Sequence, residues 1–130
     1  MRSGFIIFFA MSVSFTHAAS AQDYRNNPVY EDKLVGLADV LGRVHAVRVL
    51  CNGQGDQYWR EYMRNLLDLE APAAGYRRSR MVDSFNAGYS SEQSRFATCT
   101  PEAAQSETDL STRGRQLSES LASLAAGITP

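Results

Sequence analysis

Between Tyr30 and Leu50 the apolar side chains return every third or fourth residue. Tyr30, Leu34, Leu37, Leu41, Val44 and Arg48 make one stripe, flanked by Val40, Val47 and Cys51. That period is the helical one, and Asp32, Asp39 and Arg43 fall on the opposite side. The spacing predicts a helix over residues 30–50, long enough to organise a small domain around it. Gly36 and Gly42 each weaken such a helix by up to about 1 kcal/mol relative to Ala, which points to close approach of a neighbouring helix at both.

Asn52-Gly53-Gln54-Gly55 breaks the pattern, and Asp56 is the expected N-cap of a second helix. Trp59, Met63, Leu66 and Glu70, joined by Tyr62 and Leu69, form its stripe, and Pro72 ends it near Ala71. The short Pro72–Gly75 connection predicts that helices two and three are antiparallel neighbours. Helix three is expected over 76–87, burying Met81, Val82 and Phe85, with Gly88 as a left-handed stop. Residues 90–98 read as an irregular loop anchored by Phe96. Thr100-Pro101-Glu102 then opens a last helix, with Thr as cap, Pro in the first turn and Glu complementing the dipole. That helix runs to about Ala126 on a thin face of Leu110, Leu117, Leu121 and Leu124, weakened by Gly114. The fold class expected is all-α: a small bundle of about four helices in a single domain spanning 30–130.

The N-terminus carries an address. Arg2 is followed by an almost wholly apolar run from Gly4 to Phe15, and Ala19-Ser20-Ala21 offers small residues where a signal peptidase cuts. This is the pattern of a secretory signal peptide over 1–21, cleaved after Ala21, and the run is too short to span a bilayer. The polar stretch 22–29 is expected to be a flexible leader. A periplasmic location follows, and with it an oxidising environment. There the two cysteines, Cys51 and Cys99, are expected to pair with each other. The bond would tie the end of helix one to the start of helix four. The pair lacks the C-x-x-C spacing of redox motifs.

The formal net charge of −1 argues against nucleic acid as a partner, which requires a basic face. Arg48 sits within the apolar stripe of helix one and must be paired or reach solvent. An ion pair with an acidic residue such as Glu70 is the expected arrangement, and an anion site is the alternative. Trp59-Arg60 and Phe85-Asn86-Ala87-Gly88-Tyr89 combine aromatic and polar groups. Core packing explains most of this, yet Trp59, Arg60, Asn86 and Tyr89 also have the chemistry of an interface. Arg77, Arg78 and Arg80 crowd the start of helix three against its dipole. They call for acidic partners or, alternatively, an anionic envelope component. His45 is the only histidine outside the expected signal peptide. It is expected to be half-buried in its helix, without a metal site or a nucleophile to serve. Glu61, Asp68 and Glu70 are surface charges on the same reading, Glu61 beside Arg64. Paired carboxylates for glycan hydrolysis are the alternative.

Leu37-Ala38, Val40-Leu41-Gly42, Arg48-Val49-Leu50-Cys51, Trp59-Arg60, Met63, Leu66-Leu67, Glu70, Phe85-Asn86-Ala87-Gly88-Tyr89 and Cys99-Thr100, in that order, resemble a family of short exported proteobacterial proteins defined as a domain of unknown function. The resemblance implies a periplasmic home and a common helical fold, and carries no mechanism. Together these features lead to a non-enzymatic helical module that binds an envelope protein or an anionic envelope component, with no cofactor and no metal. The alternatives are a small glycan or peptidoglycan hydrolase and a purely structural envelope protein.

Overall fold

The computed structural model describes residues 24–128. The expected signal peptide lies outside the described residues. Within them the chain forms a short 3-10 turn at Tyr24–Asn26 and four α-helices: α1 Pro28–Asn52, α2 Tyr58–Glu70, α3 Tyr76–Arg95 and α4 Pro101–Ala125. There is no strand among the described residues.

Helical structure is present before the apolar period begins. Of the leader expected over 22–29, residues 24–26 form the 3-10 turn, and Pro28 and Val29 already belong to α1. Asn27 caps that helix, its side-chain oxygen accepting from the Val29 N–H at 2.9 Å. The Tyr24 ring meets Tyr30 edge-on, with ring centres 4.9 Å apart, and Arg77 donates to the Arg25 carbonyl.

α1 is the centre of the molecule, and each other helix packs on it. The pairings set the directions. Glu31, Val35, Asp39 and Arg43 meet Arg77, Ser84, Gly88 and Glu92 in that order, so α3 runs parallel to α1. Arg48 meets Glu107 while Gly36 meets Leu117, so α4 runs antiparallel. α1 is therefore covered on nearly every side: Leu34, Leu37, Leu41 and Tyr30 are buried with Met63, Leu67, Met81, Phe85 and Leu121, and Val40 and Val44 with Leu110. Asp39 and Arg43, expected to face away from the core, lie against α3. Arg43 is paired to Asp39 at 2.8 Å and to Glu92 at 3.1 Å.

The α1–α3 seam corrects the expected end of helix three. Gly88 is no helix stop. It is buried within α3, which continues to Arg95 through most of the expected loop. A Cβ at Gly88 would come within 2.3 Å of the Asp39 carbonyl oxygen, and one at Gly42 within 1.9 Å of the Phe85 carbonyl oxygen. Each helix thus offers a glycine to the other's backbone, and the two run at a distance no side chain permits. Gly36 makes no such approach, since its nearest neighbour is the Leu117 side chain at 4.0 Å.

The lengthened α3 carries Glu92 into the interior, where it is only 3% exposed. A carboxylate so buried requires partners. It accepts from Arg43 of α1 and, at 3.3 Å, from Ser106 of α4, joining three helices. Thr100 caps α4 as expected, its hydroxyl accepting from the Ala103 N–H at 3.2 Å. Cys51 and Cys99 are bonded, with Cα atoms 4.9 Å apart. The disulfide thus ties the end of α1 to the residue before that cap.

Candidate functional site

α2 and α3 are not the close neighbours their short connection predicts. Both rest on α1 without packing backbone to backbone on each other, and a cleft of about 470 Å³ opens between them. Its walls follow from helical spacing. α2 contributes Arg60, Met63, Arg64 and Leu67, one stripe at steps of three, one and three residues. α3 contributes Val82, Phe85, Asn86 and Tyr89 at the same steps. Met63, Leu67 and Phe85 are buried and Val82 is half-buried, so the depth of the cleft is apolar. Arg60, Arg64 and Asn86 are exposed at its rim, and Gln54 and Gln57 close one end.

The electrostatics are one-sided. No carboxylate lines the cleft. Among the described residues neither Arg60 nor Arg64 has an acidic partner within 4.0 Å, Arg64's helix neighbour Glu61 included. From α1, His45 also lines the cleft, although it is only 4% exposed. Its ring lies against Phe85 and Tyr89, with centres 5.9 and 5.4 Å away. Its Nδ1 is buried with no hydrogen-bond partner. Burial, and then the positive charge of Arg60, hold the imidazole pKa below its ordinary 6.5, so the ring is neutral at neutral pH.

The other residues singled out in the sequence are placed elsewhere. Arg48 is ion-paired, but not to Glu70: it reaches Asp56 at 2.8 Å and Glu107 at 3.2 Å. Asp56 is consequently not the cap of α2. That place is taken by Gln57, without a side-chain capping bond. Asp56 instead accepts from Asn52 and Arg48, which together hold its carboxyl below the usual range. Glu70 lies at the far end of α2, lining a different hollow with Arg25 and Arg77. There, burial and then the Glu70 charge push the Tyr30 phenol up.

The three arginines opening α3 are absorbed by the protein itself. Arg77 pairs with Glu31 at 2.6 Å, Arg80 with Glu31 and Asp32 at 3.5 Å each, and Arg78 donates to the Ala71 carbonyl at 2.8 Å. Glu61 and Asp68 stand exposed on α2. Trp59 faces the opposite side of α2, in a hollow of about 260 Å³ bordered by α4, and its Nε1 is buried without a partner. Among the described residues no group of three or more His, Cys, Asp or Glu side chains is placed to hold a metal ion.

Compared with known protein families, residues 29–124 match the one described as "Protein of unknown function (DUF2385)". The chain belongs to the DUF2385 family. No curated protein and no solved structure matches it. The DUF2385 match covers all four helices, and so both walls of the cleft and its floor.

Of the residues read from the sequence as recognition candidates, Arg60, Asn86 and Tyr89 are brought together in the cleft, whereas Arg48, Trp59, Glu70 and the α3 arginines are not. His45 and Arg64, which also line the cleft, are not among those candidates. For Arg64 a signal exists: it lies one helical turn beyond Arg60, beside the apolar pair Met63 and Leu67. For His45 none does, because a lone histidine half-buried in a helix reads as packing.

Proposed function

We propose that this DUF2385 protein is a non-enzymatic binding module of the cell envelope, exported to the periplasm, and that it takes its ligand or partner in the α2–α3 cleft. The observation that carries this reading is the lining of the cleft: an apolar depth under two arginines that no acidic side chain among the described residues pairs with. Of the other nine arginines among the described residues, six are engaged by acidic side chains and Arg25, Arg113 and Arg115 are not. Arg60 and Arg64 are the two unengaged ones that line one cleft together, which is a reason to look for an external anion there. The hydrolase reading needs two carboxylates facing a shared cleft; this cleft is lined by none, and in the hollow that Glu70 shares with Glu31 the latter is already paired with Arg77 and Arg80. Export is supported by the Cys51–Cys99 bond, which suits an oxidising compartment. No helix among the described residues is long and apolar enough to cross a membrane.

Cross-linking in intact cells, with a photoreactive residue at Asn86 and a control at Asp109 on α4, tests the site. A species captured from the cleft and not from the control is the expected result. Equal capture at both positions, or none at either, overturns it. N-terminal sequencing of the periplasmic fraction is expected to begin at Gln22.

A further inference from the structure

The chemistry of the cleft defines a ligand class. We infer that it binds a small amphiphilic anion: a molecule with one carboxylate or phosphate head and an apolar body of roughly ten carbons. This rests on the binding reading above and adds the identity of what is bound.

Arg60 and Arg64 are one helical turn apart, so their guanidinium groups can converge on one oxyanion. Both are exposed and, among the described residues, have no acidic partner, so neither gives up an ion pair seen there to bind. Below them the walls are Met63 and Leu67 on one side and Val82 and Phe85 on the other. These groups stabilise an apolar body and carry no hydrogen-bonding group for a sugar and no charge for a polyelectrolyte. The volume of about 470 Å³ falls within the range of small-molecule sites, about 300–1,000 Å³. His45 supplies an independent indication. It is a polar side chain more than nine-tenths buried, lining the same cleft, with an unpartnered nitrogen. A buried polar atom left without a partner costs stability and calls for an explanation.

The test is calorimetric titration of the mature protein with decanoate, decyl phosphate, decanol and inorganic phosphate, each below its micelle concentration. Decanoate, decyl phosphate or both are expected to bind, and the stronger of the two identifies the head group. Decanol and inorganic phosphate, which carry only half of the chemistry, are expected to bind at least about tenfold more weakly. Arg60→Gln and Arg64→Gln are each expected to weaken the anionic amphiphile by about tenfold or more. Both positions are exposed, so the helical signal and melting temperature of the variants should match the parent. Failure of both anionic amphiphiles to bind, equal binding of decanol, or unchanged affinity in the Arg60→Gln/Arg64→Gln double variant overturns the inference. If neither amphiphile binds but the double variant abolishes cross-linking at Asn86, the ligand class falls while the cleft stands as a binding site.

Discussion

At the scale of single residues, two glycines act against their usual effect. Gly-to-Ala replacement in a helix ordinarily gains up to about 1 kcal/mol. At Gly42 and Gly88 the new methyl would meet a backbone carbonyl of the facing helix, at 1.9 and 2.3 Å, and backbone cannot rotate aside. Gly42→Ala and Gly88→Ala should each destabilise the fold by about 2–3 kcal/mol, whereas Gly36→Ala, with only a side chain 4.0 Å away, should be neutral or stabilising. Urea denaturation of the three variants measures the contrast. His45 sets a pH dependence. Its pKa is depressed in the folded state relative to the ordinary 6.5, so the unfolded chain takes up the proton first as pH falls. The contribution of neutral His45 is fully present above about pH 6.5 and declines below it until the folded-state pKa is reached. Melting temperatures recorded from pH 8 to pH 5 should fall over the acidic half of that range, and His45→Phe should flatten this part of the curve.

At the scale of elements, α1 was legible because its apolar stripe keeps the helical period, and α4 because Thr100-Pro101-Glu102 is a start signal with a local mechanism. α3 was not, because its second half is stabilised by partners rather than by its own pattern. Gly88 and the polar run from Ser90 to Arg95 resemble a stop and a loop in isolation. They become helix because Gly88 fits against Asp39 and because Glu92 finds Arg43 and Ser106. A similar substitution of partner occurs at Arg48. The period required a counter-charge there, but Asp56 and Glu107 supply it from the loop and from α4. Arg48→Met should cost only about 1 kcal/mol. The guanidinium is a third exposed, exposed pairs contribute little, and Asn52 continues to bind Asp56. Hydrogen exchange should quicken in the first turns of α4 and in the 53–57 loop, where both contacts are lost, and leave the α1–α3 seam unchanged.

At the scale of the whole molecule, the disulfide closes a segment 48 residues long that contains α2 and α3. α4 has a thin apolar face, with only Ala103, Leu110 and Leu121 fully buried among its apolar residues, and the bond holds its start against α1. On the chain-entropy account, a loop of this length contributes about 4 kcal/mol. That is a large part of the 5–15 kcal/mol typical of a domain. Denaturation with and without a reductant should show a drop of that order, with α4 losing exchange protection first. An unchanged midpoint would mean that the helices hold one another without the covalent tie.

The sequence by itself determined the helical class, the number of helices, the caps of α4 and the cysteine partnership. Each of these depends on groups close in the chain or, for the cysteines, on there being no other choice of partner. Only the tertiary structure decided which helix lies against which. α2 and α3 are adjacent in the chain, yet both take their apolar contacts from α1, and the space left between them is the cleft. Its arginines, its aromatic wall and its buried histidine come from three helices. No local period can bring such groups together, because their meeting depends on how closely two glycines allow α3 to approach α1.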